Sequence, residues 1–337
     1  MNIIILAAGE GSRMQSSMPK VMNEIAGFPI LYSVIVNARA ISESGNIIVV
    51  ASQSLLSYCE EKDLGYIFEG CKIVIQQEKL GTANAVKVAI DSEYFNHQYE
   101  KTLILYGDQP FFTAQTITET ISSSSCPVSI VCFYPQDETQ QYARITCSNP
   151  DDNEDYILEN GLYIEIDSIK EFKEYLDDEK MPTLCNSGLM LSETKILSQM
   201  LSQVNSDNAA KEYYLTDIIN IAKQNGISCG AFVCDEIEVL GINNQFELEN
   251  ATKVMYSYVA RDHMSRGVRI CDTLTTFISQ DAIIGKNVII EPNVFIGKSV
   301  EIGDNIKIKS FSYLEDVKIL NNSDEVKVVG PFYNSKQ

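Results

Sequence analysis

Residues 2–6 form a nearly unbroken β-branched run that opens on Ala7-Ala8-Gly9, the pattern of a strand buried on both faces of a parallel sheet. Similar runs recur at 46–50, 72–75, 102–106 and 128–133. Between them, 29–40, 83–90 and 114–122 carry apolar residues at helical spacing, and 212–222 reads as the start of a further helix. This alternation predicts an α/β, Rossmann-like domain on a mixed, mostly parallel sheet, whose ligands gather at the carboxyl ends of the strands. The acidic, proline-containing segment 148–154 reads as a surface hairpin or insertion. Beyond it lies a charged stretch at 170–180, and 245–259 suits a connecting helix.

After about Arg269 the pattern changes. Ala282, Val288, Val294, Val300 and Ile306 recur every six residues, and Ile284, Ile290, Ile296, Ile302 and Ile308 follow each of them by two. Gly285, Gly297 and Gly303 fall in the turns. A six-residue apolar period with turn glycines or asparagines is the signature of a left-handed parallel β-helix, one short strand and one turn per face. Past Lys309 the phase slips and weakens through 310–322, and a strand-like pattern resumes at 323–332, so about three coils are expected. So short a stack needs a cap, a partner or both, and a homotrimer through the prism faces is the expected assembly. The predicted organisation is a catalytic α/β domain over 1–244, a connecting helix over 245–268 and a short β-helix over 269–337.

The 337 residues are about twice the rough 150 of one domain. The 46 acidic against 26 basic residues give a formal charge of -20, which disfavours nucleic acid and anionic lipid as partners. Small anionic substrates remain compatible if a local basic loop meets them. Nine cysteines in scattered positions, without a C-x-x-C pair and away from His97 and His263, read as reduced, mostly buried thiols. The apolar stretch from Ile3 has no basic flank and breaks at glycine, so neither a signal peptide nor a membrane span is expected, and the expected location is the cytoplasm.

The first strand runs into Leu6-Ala7-Ala8-Gly9-Glu10-Gly11-Ser12-Arg13-Met14, with Pro19-Lys20 shortly after. Glycines let backbone amides approach an anion, and Arg13 and Lys20 supply positive charge in an acidic protein, a combination that suits a triphosphate. The loop is neither G-x-G-x-x-G nor a P-loop, and a plain glycine turn with two surface cations is the alternative reading. Asp108, in Tyr106-Gly107-Asp108-Gln109-Pro110, follows a buried strand. One carboxylate with a second oxygen donor is the usual protein share of a Mg2+ site, and Asn243 is a candidate second donor. Each alone is equally compatible with a turn residue satisfied by its own backbone. Gln76, Gly81 and Thr82 follow another strand and offer an amide and a helix start to a base.

Together these segments resemble, in order from residue 3 to about 333, the bacterial N-acetylglucosamine-1-phosphate uridylyltransferases, the first-half activity of the bifunctional enzymes that make UDP-N-acetylglucosamine. The resemblance implies that Leu6, Ala8, Gly9, Gly11 and Arg13 wrap the nucleotide and its phosphates, with Lys20 near the reacting phosphate. It implies that Gln76, Gly81 and Thr82 contact uracil and ribose, that Tyr106 and Asp108 lie beside the sugar phosphate, and that Asp108 and Asn243 hold Mg2+. The family places I-V-E-x-K-D 15 residues, glutamate to asparagine, before N-T-G; Ile169-Lys170-Glu171-Phe172-Lys173-Glu174 and Asn186-Ser187-Gly188 keep that separation, which implies Glu171 and Asn186 as sugar ligands. Thr216, in Glu212-Tyr213-Tyr214-Leu215-Thr216-Asp217, is the implied contact near the acetamido group.

Two departures bear on the sugar. Ala143, in Tyr142-Ala143-Arg144-Ile145, stands where the family has a glycine whose amide contacts the sugar, and alanine keeps that amide in place only at negative φ. The acidic insertion at 149–155 is the second. Asp108-Gln109-Pro110 is also similar to molybdopterin nucleotidyltransferases, which lack the six-residue repeat. The expected reaction is transfer of uridylyl from UTP to N-acetylglucosamine-1-phosphate. Transfer to another sugar-1-phosphate, or a decayed nucleotide-binding protein tethered to a β-helix, are the alternatives. The family's acetyltransferase step uses coils past Tyr333, so no acetyl transfer is expected from these 337 residues.

Overall fold

The computed structural model describes residues 1–9, 11–41, 45–137, 141–147, 161–176, 179–208 and 210–320, with the side chain of Ser12 left out. The expected insertion at 149–155 and the pattern at 323–332 lie outside these residues. The chain forms two compact units, one of Met1–Met22 with Ile30–Asn243, the other of Asn23–Pro29 with the chain from Asn244 on. Inclusion of residues 23–29 in the second unit has no signal in the sequence, because two-residue strands carry no periodicity.

In chain order the elements are β1 (Asn2–Ala7), β2 (Glu24–Ile25), β3 (Phe28–Pro29), α1 (Ile30–Ile41), β4 (Asn46–Ala51), α2 (Gln53–Glu61), β5 (Lys72–Ile75), α3 (Thr82–Ile90), β6 (Lys101–Tyr106), α4 (Ala114–Ser123) and β7 (Val128–Phe133). They continue with β8 (Arg144–Cys147), β9 (Tyr163–Lys170), β10 (Cys185–Glu193), α5 (Thr194–Leu201), α6 (Asp217–Gln224), β11 (Cys229–Val233) and α7 (Gln245–Ser265).

The first unit is a nine-stranded sheet in the order β5-β4-β1-β6-β10-β7-β11-β9-β8. Strands β5, β4, β1 and β6 are parallel, while β10 runs antiparallel to both β6 and β7. Apolar runs were needed on both faces of the parallel half, and both are used: Ile4 joins one core layer, Ile3 and Ile5 the other, all fully buried. Each such isoleucine contributes roughly 2 kcal/mol. From β1 the chain goes to β4 on one side and the sheet continues to β6 on the other, and this change of direction opens a crevice at the carboxyl ends of β1 and β6.

Strand β10 is broken by a bulge between Asn186 and Met190, a device that re-aims side chains beside active sites. The helix expected from 212 starts only at Asp217. Tyr213 instead pairs its backbone with the loop before α3, donating to the Leu80 carbonyl at 2.7 Å and accepting from the Ala83 amide at 2.9 Å. Those fixed hydrogen bonds override the helical spacing of the side chains. Of the nine cysteines, all free, five are buried.

The second unit contains α7, capped by Asn244, whose Oδ1 accepts from the amides of Phe246 and Glu247 at 3.0 and 2.9 Å. Three three-stranded sheets then stack in parallel, as a left-handed β-helix requires. Phe295 pairs with Tyr313, 18 residues on, whereas Ile302 pairs with Ile319, 17 on. The slip expected past Lys309 is therefore the loss of one residue after Leu314. The apolar stack of Val288, Ile290, Val294, Ile296, Ile302, Ile308 and Leu314 is fully or almost fully buried. Its corners are Asn287, Asn293, Ser299, Asn305 and Phe311, at φ of 56 to 64°. Among the described residues, no helix is long and apolar enough to cross a membrane.

Phe311 is the misfit at these corners, a bulky residue at φ 64° with 72% of its surface exposed. Left-handed backbone costs such a residue about 1 kcal/mol more than asparagine. Phe311→Asn is expected to stabilise the second unit by that amount, read as a rise in its unfolding midpoint; an unchanged or lower midpoint would show that the corner is unstrained.

Candidate active site

Four side chains from three distant segments meet at the crevice. Lys20, at the start of a short 3-10 turn, places its ammonium in an ion pair with Asp108 and 3.1 Å from Asn243 Oδ1. Arg13 donates to the same Asn243 oxygen at 2.9 Å. Lys20 and Asp108 side chains are only 13% and 15% exposed, so the pair is shielded from bulk water. Gly11 makes the approach possible: at φ +63° a Cβ there would lie 2.5 Å from the Lys20 Cβ. At the end of β1, Leu6 is half-buried, Ala8 buried and Gly9 exposed. The Leu6 carbonyl accepts from Gly107 N at 2.9 Å, which fixes the turn carrying Asp108 to β1. The Asp108 carbonyl accepts from Ile242 N at 3.1 Å, which brings Asn243 alongside.

The expected nucleoside side lies on the loop between β5 and α3. Gln76 is buried and turned into this loop, its Nε2 donating to the Gly81 carbonyl at 3.2 Å and to Asn84 Oδ1 at 2.8 Å. Asn84 had no signal in the sequence. Thr82 accepts from Leu215 N at 3.0 Å and hydrogen-bonds the Tyr106 phenol.

The expected sugar side lies beyond Tyr106. Burial, followed by the Glu171 carboxylate, pushes the Tyr106 phenol well up; Asp108 adds to the same effect. Gly188 in the β10 bulge, at φ +95°, packs on that ring so closely that a Cβ would come within 2.7 Å of it. Asn186 Oδ1 accepts from Gly188 N at 3.2 Å, and Asn186 N donates to the Ala143 carbonyl at 2.9 Å. Ala143 is buried and is not among the described residues with positive φ, so its side chain adds no backbone strain. Glu171 Oε1 accepts from the Thr216 hydroxyl at 2.7 Å. Burial raises the Glu171 carboxyl above its usual range. Burial, then Glu174 and Glu171, push Asp217 up to about 6. Asp217 was not singled out in the sequence, since only folding gathers these acids.

The Asp108 and Asn243 oxygens both face one ammonium, so the pair already serves a single positive charge. Two hard oxygen donors fit Mg2+, which leaves most of its octahedral shell to phosphates and water. Among the described residues, no group of three or more His, Cys, Asp or Glu is placed to hold a metal.

This crevice sits in a nucleotidyltransferase domain: residues 3–178 match the family model described as "MobA-like NTP transferase domain", and 281–316 match "Bacterial transferase hexapeptide (six repeats)". The chain is 34% identical to "Bifunctional protein GlmU" of Ruegeria sp. (strain TM1040), over 98% of this chain and 68% of the relative. For the protein of the same name from Cereibacter sphaeroides (strain ATCC 17025 / ATH 2.4.3) the identity is 33%, over 95% of this chain and 66% of the relative. The chain belongs to the GlmU family and spans about two thirds of the length of these relatives. Two solved structures share the fold at 16% identity. A putative glucose-1-phosphate thymidylyltransferase from Bacillus anthracis has a TM-score of 0.55, covering 75% of this chain and 94% of its own. A UDP-glucose pyrophosphorylase complexed with UDP-glucose has a TM-score of 0.57, covering 76% and 98%.

The acid cluster makes the site costly to stability. The folded carboxyls of Glu171 and Asp217 hold protons more tightly than the unfolded ones, so their contribution is complete below the ordinary carboxylate range and is lost as pH rises, for Asp217 between about 4 and 6. Glu171→Gln keeps an acceptor for Thr216 and is expected to stabilise the protein by about 1 kcal/mol at pH 8, with a smaller gain at pH 5. Equal unfolding midpoints for variant and wild type at pH 8 would contradict the cost.

Proposed function

We propose that the chain transfers uridylyl from UTP to N-acetylglucosamine-1-phosphate, releasing pyrophosphate and forming UDP-N-acetylglucosamine. The observation that carries this reading is the convergence of Lys20, Arg13, Asp108 and Asn243 at the carboxyl edge of β1 and β6, with Tyr106 contacted by the Asn186–Gly188 bulge and influenced by Glu171, which bonds Thr216. Membership of the GlmU family supports the same substrates.

The attacking group is a sugar-phosphate oxygen that is already anionic at neutral pH, so no side chain has to take a proton. That oxygen bonds to the α-phosphorus as the bond to the bridging oxygen breaks, and the electron pair leaves with pyrophosphate. Lys20 and Arg13 place positive charge where nonbridging and leaving oxygens gain negative charge. Asp108 and Asn243 would hold Mg2+, which would supply charge neutralisation to the reacting phosphates. Leu6, Ala8, Gly9 and Gly11 line the nucleotide, and Gly81 and Thr82 present the start of α3 to uracil and ribose, with Gln76 bracing their loop. Glu171, Asn186, Thr216 and the Ala143 backbone receive the sugar. A sugar lacking the matching groups would leave the half-buried Glu171 carboxylate with fewer hydrogen bonds, and that loss discriminates against it.

Pyrophosphate release from four nucleoside triphosphates, each with N-acetylglucosamine-, glucosamine- or glucose-1-phosphate, tests this reading. UTP with N-acetylglucosamine-1-phosphate is expected to give the highest kcat/KM, and no release with any pair would refute it. Asp108→Asn is expected to lower kcat by about 100-fold or more; near-normal turnover at modest Mg2+ would remove Asp108 from the metal site.

A further inference from the structure

We propose that Gln109 is a positioning residue that ties the metal-holding pair to the sugar-binding bulge, an inference that rests on the reaction proposed above. Gln109 follows Asp108 directly and is 7% exposed. Its Nε2 donates to the Ser187 carbonyl at 2.7 Å and to the Val239 carbonyl at 3.2 Å. Ser187 lies between Asn186 and Gly188, the residue pressed on the Tyr106 ring. Val239 opens the segment that ends at Asn243, and the next contact along it, Ile242 N to the Asp108 carbonyl, closes the loop. One amide nitrogen therefore joins three segments that are far apart in the sequence and that carry, in turn, Asp108, Asn186 and Asn243.

Packing alone does not account for a glutamine here. Among the described residues its Oε1 is buried without a hydrogen-bond partner, a cost that an apolar residue of the same shape avoids. The two donated bonds are what the amide adds, and both acceptors are main-chain carbonyls of buried residues. The bulge has no continuous ladder to hold it, because the β10 register is broken between Asn186 and Met190. The tie substitutes for that ladder and sets the distance between the sugar ligands and the metal pair.

Gln109→Met removes both donors and keeps the length. Amide hydrogen exchange in the full chain is expected to speed up in peptides covering 185–190 and 239–243 and to stay unchanged in α7. With substrates, KM for the sugar phosphate and the Mg2+ concentration for half-maximal rate are expected to rise on the order of tenfold, with KM for UTP within about threefold. Unchanged exchange at both peptides, or equal losses in all kinetic constants, would overturn the tie. Faster exchange in a protein whose wild type releases no pyrophosphate from any pair would leave the tie standing and refute the reaction.

Discussion

The site depends on one charge arrangement, the Asp108 carboxylate held against the Lys20 ammonium with the Asn243 amide oxygen on the same cation. Their residues come from a loop after β1, the end of β6 and the last turn before the second unit. A shielded carboxylate in an acidic protein is tolerable only with such a partner. The same arrangement keeps two hard oxygens directed at a single positive charge, which is the property a divalent ion with phosphates requires. Net charge of -20 therefore coexists with a local concentration of positive charge, because Arg13 and Lys20 meet at Asn243 where the sheet opens.

The sheet explains why these groups can meet. Parallel strands β1, β4 and β6 are buried on both faces, so their ends are rigid, and the direction change at β1 leaves a crevice there. The antiparallel insertion of β10 then brings the Asn186 bulge against Tyr106. The Tyr106 phenol responds to both Glu171 and Asp108. Burial of the acids raises Glu171 and Asp217, a cost to stability at neutral pH.

Much of this was legible in the sequence where the pattern is repetitive or local. The runs that become β1, β4, β6 and β7 are buried on both faces, edge strand β5 only partly, and the six-residue period is read directly in the stacked coils. Asp108 and Asn243 were legible because each follows an apolar run, and Arg13 and Lys20 because they are the cations of and just after the glycine loop at the end of β1. Strands β9, β10 and β11 were not, since cysteines, glycines and a bulge interrupt their alternation. The false helix start at 212 came from apolar spacing that the Leu80 and Ala83 backbone contacts override. Gln109, Asn84 and Asp217 left no signal, because their partners are distant in sequence or set by the folded loop.

The central claim is direct attack of a sugar-phosphate oxygen on the α-phosphorus, without a base and without a protein-bound nucleotide. Oxygen-18 in the nonbridging positions of N-acetylglucosamine-1-phosphate tests it, with 31P NMR and mass spectrometry of the products formed from UTP and Mg2+. The account predicts that all label stays in the nucleotide sugar, part of it in the new phosphorus–oxygen–phosphorus bridge, and that pyrophosphate carries none. Label in pyrophosphate, or a nucleotidylated protein trapped before the sugar phosphate is added, would contradict it.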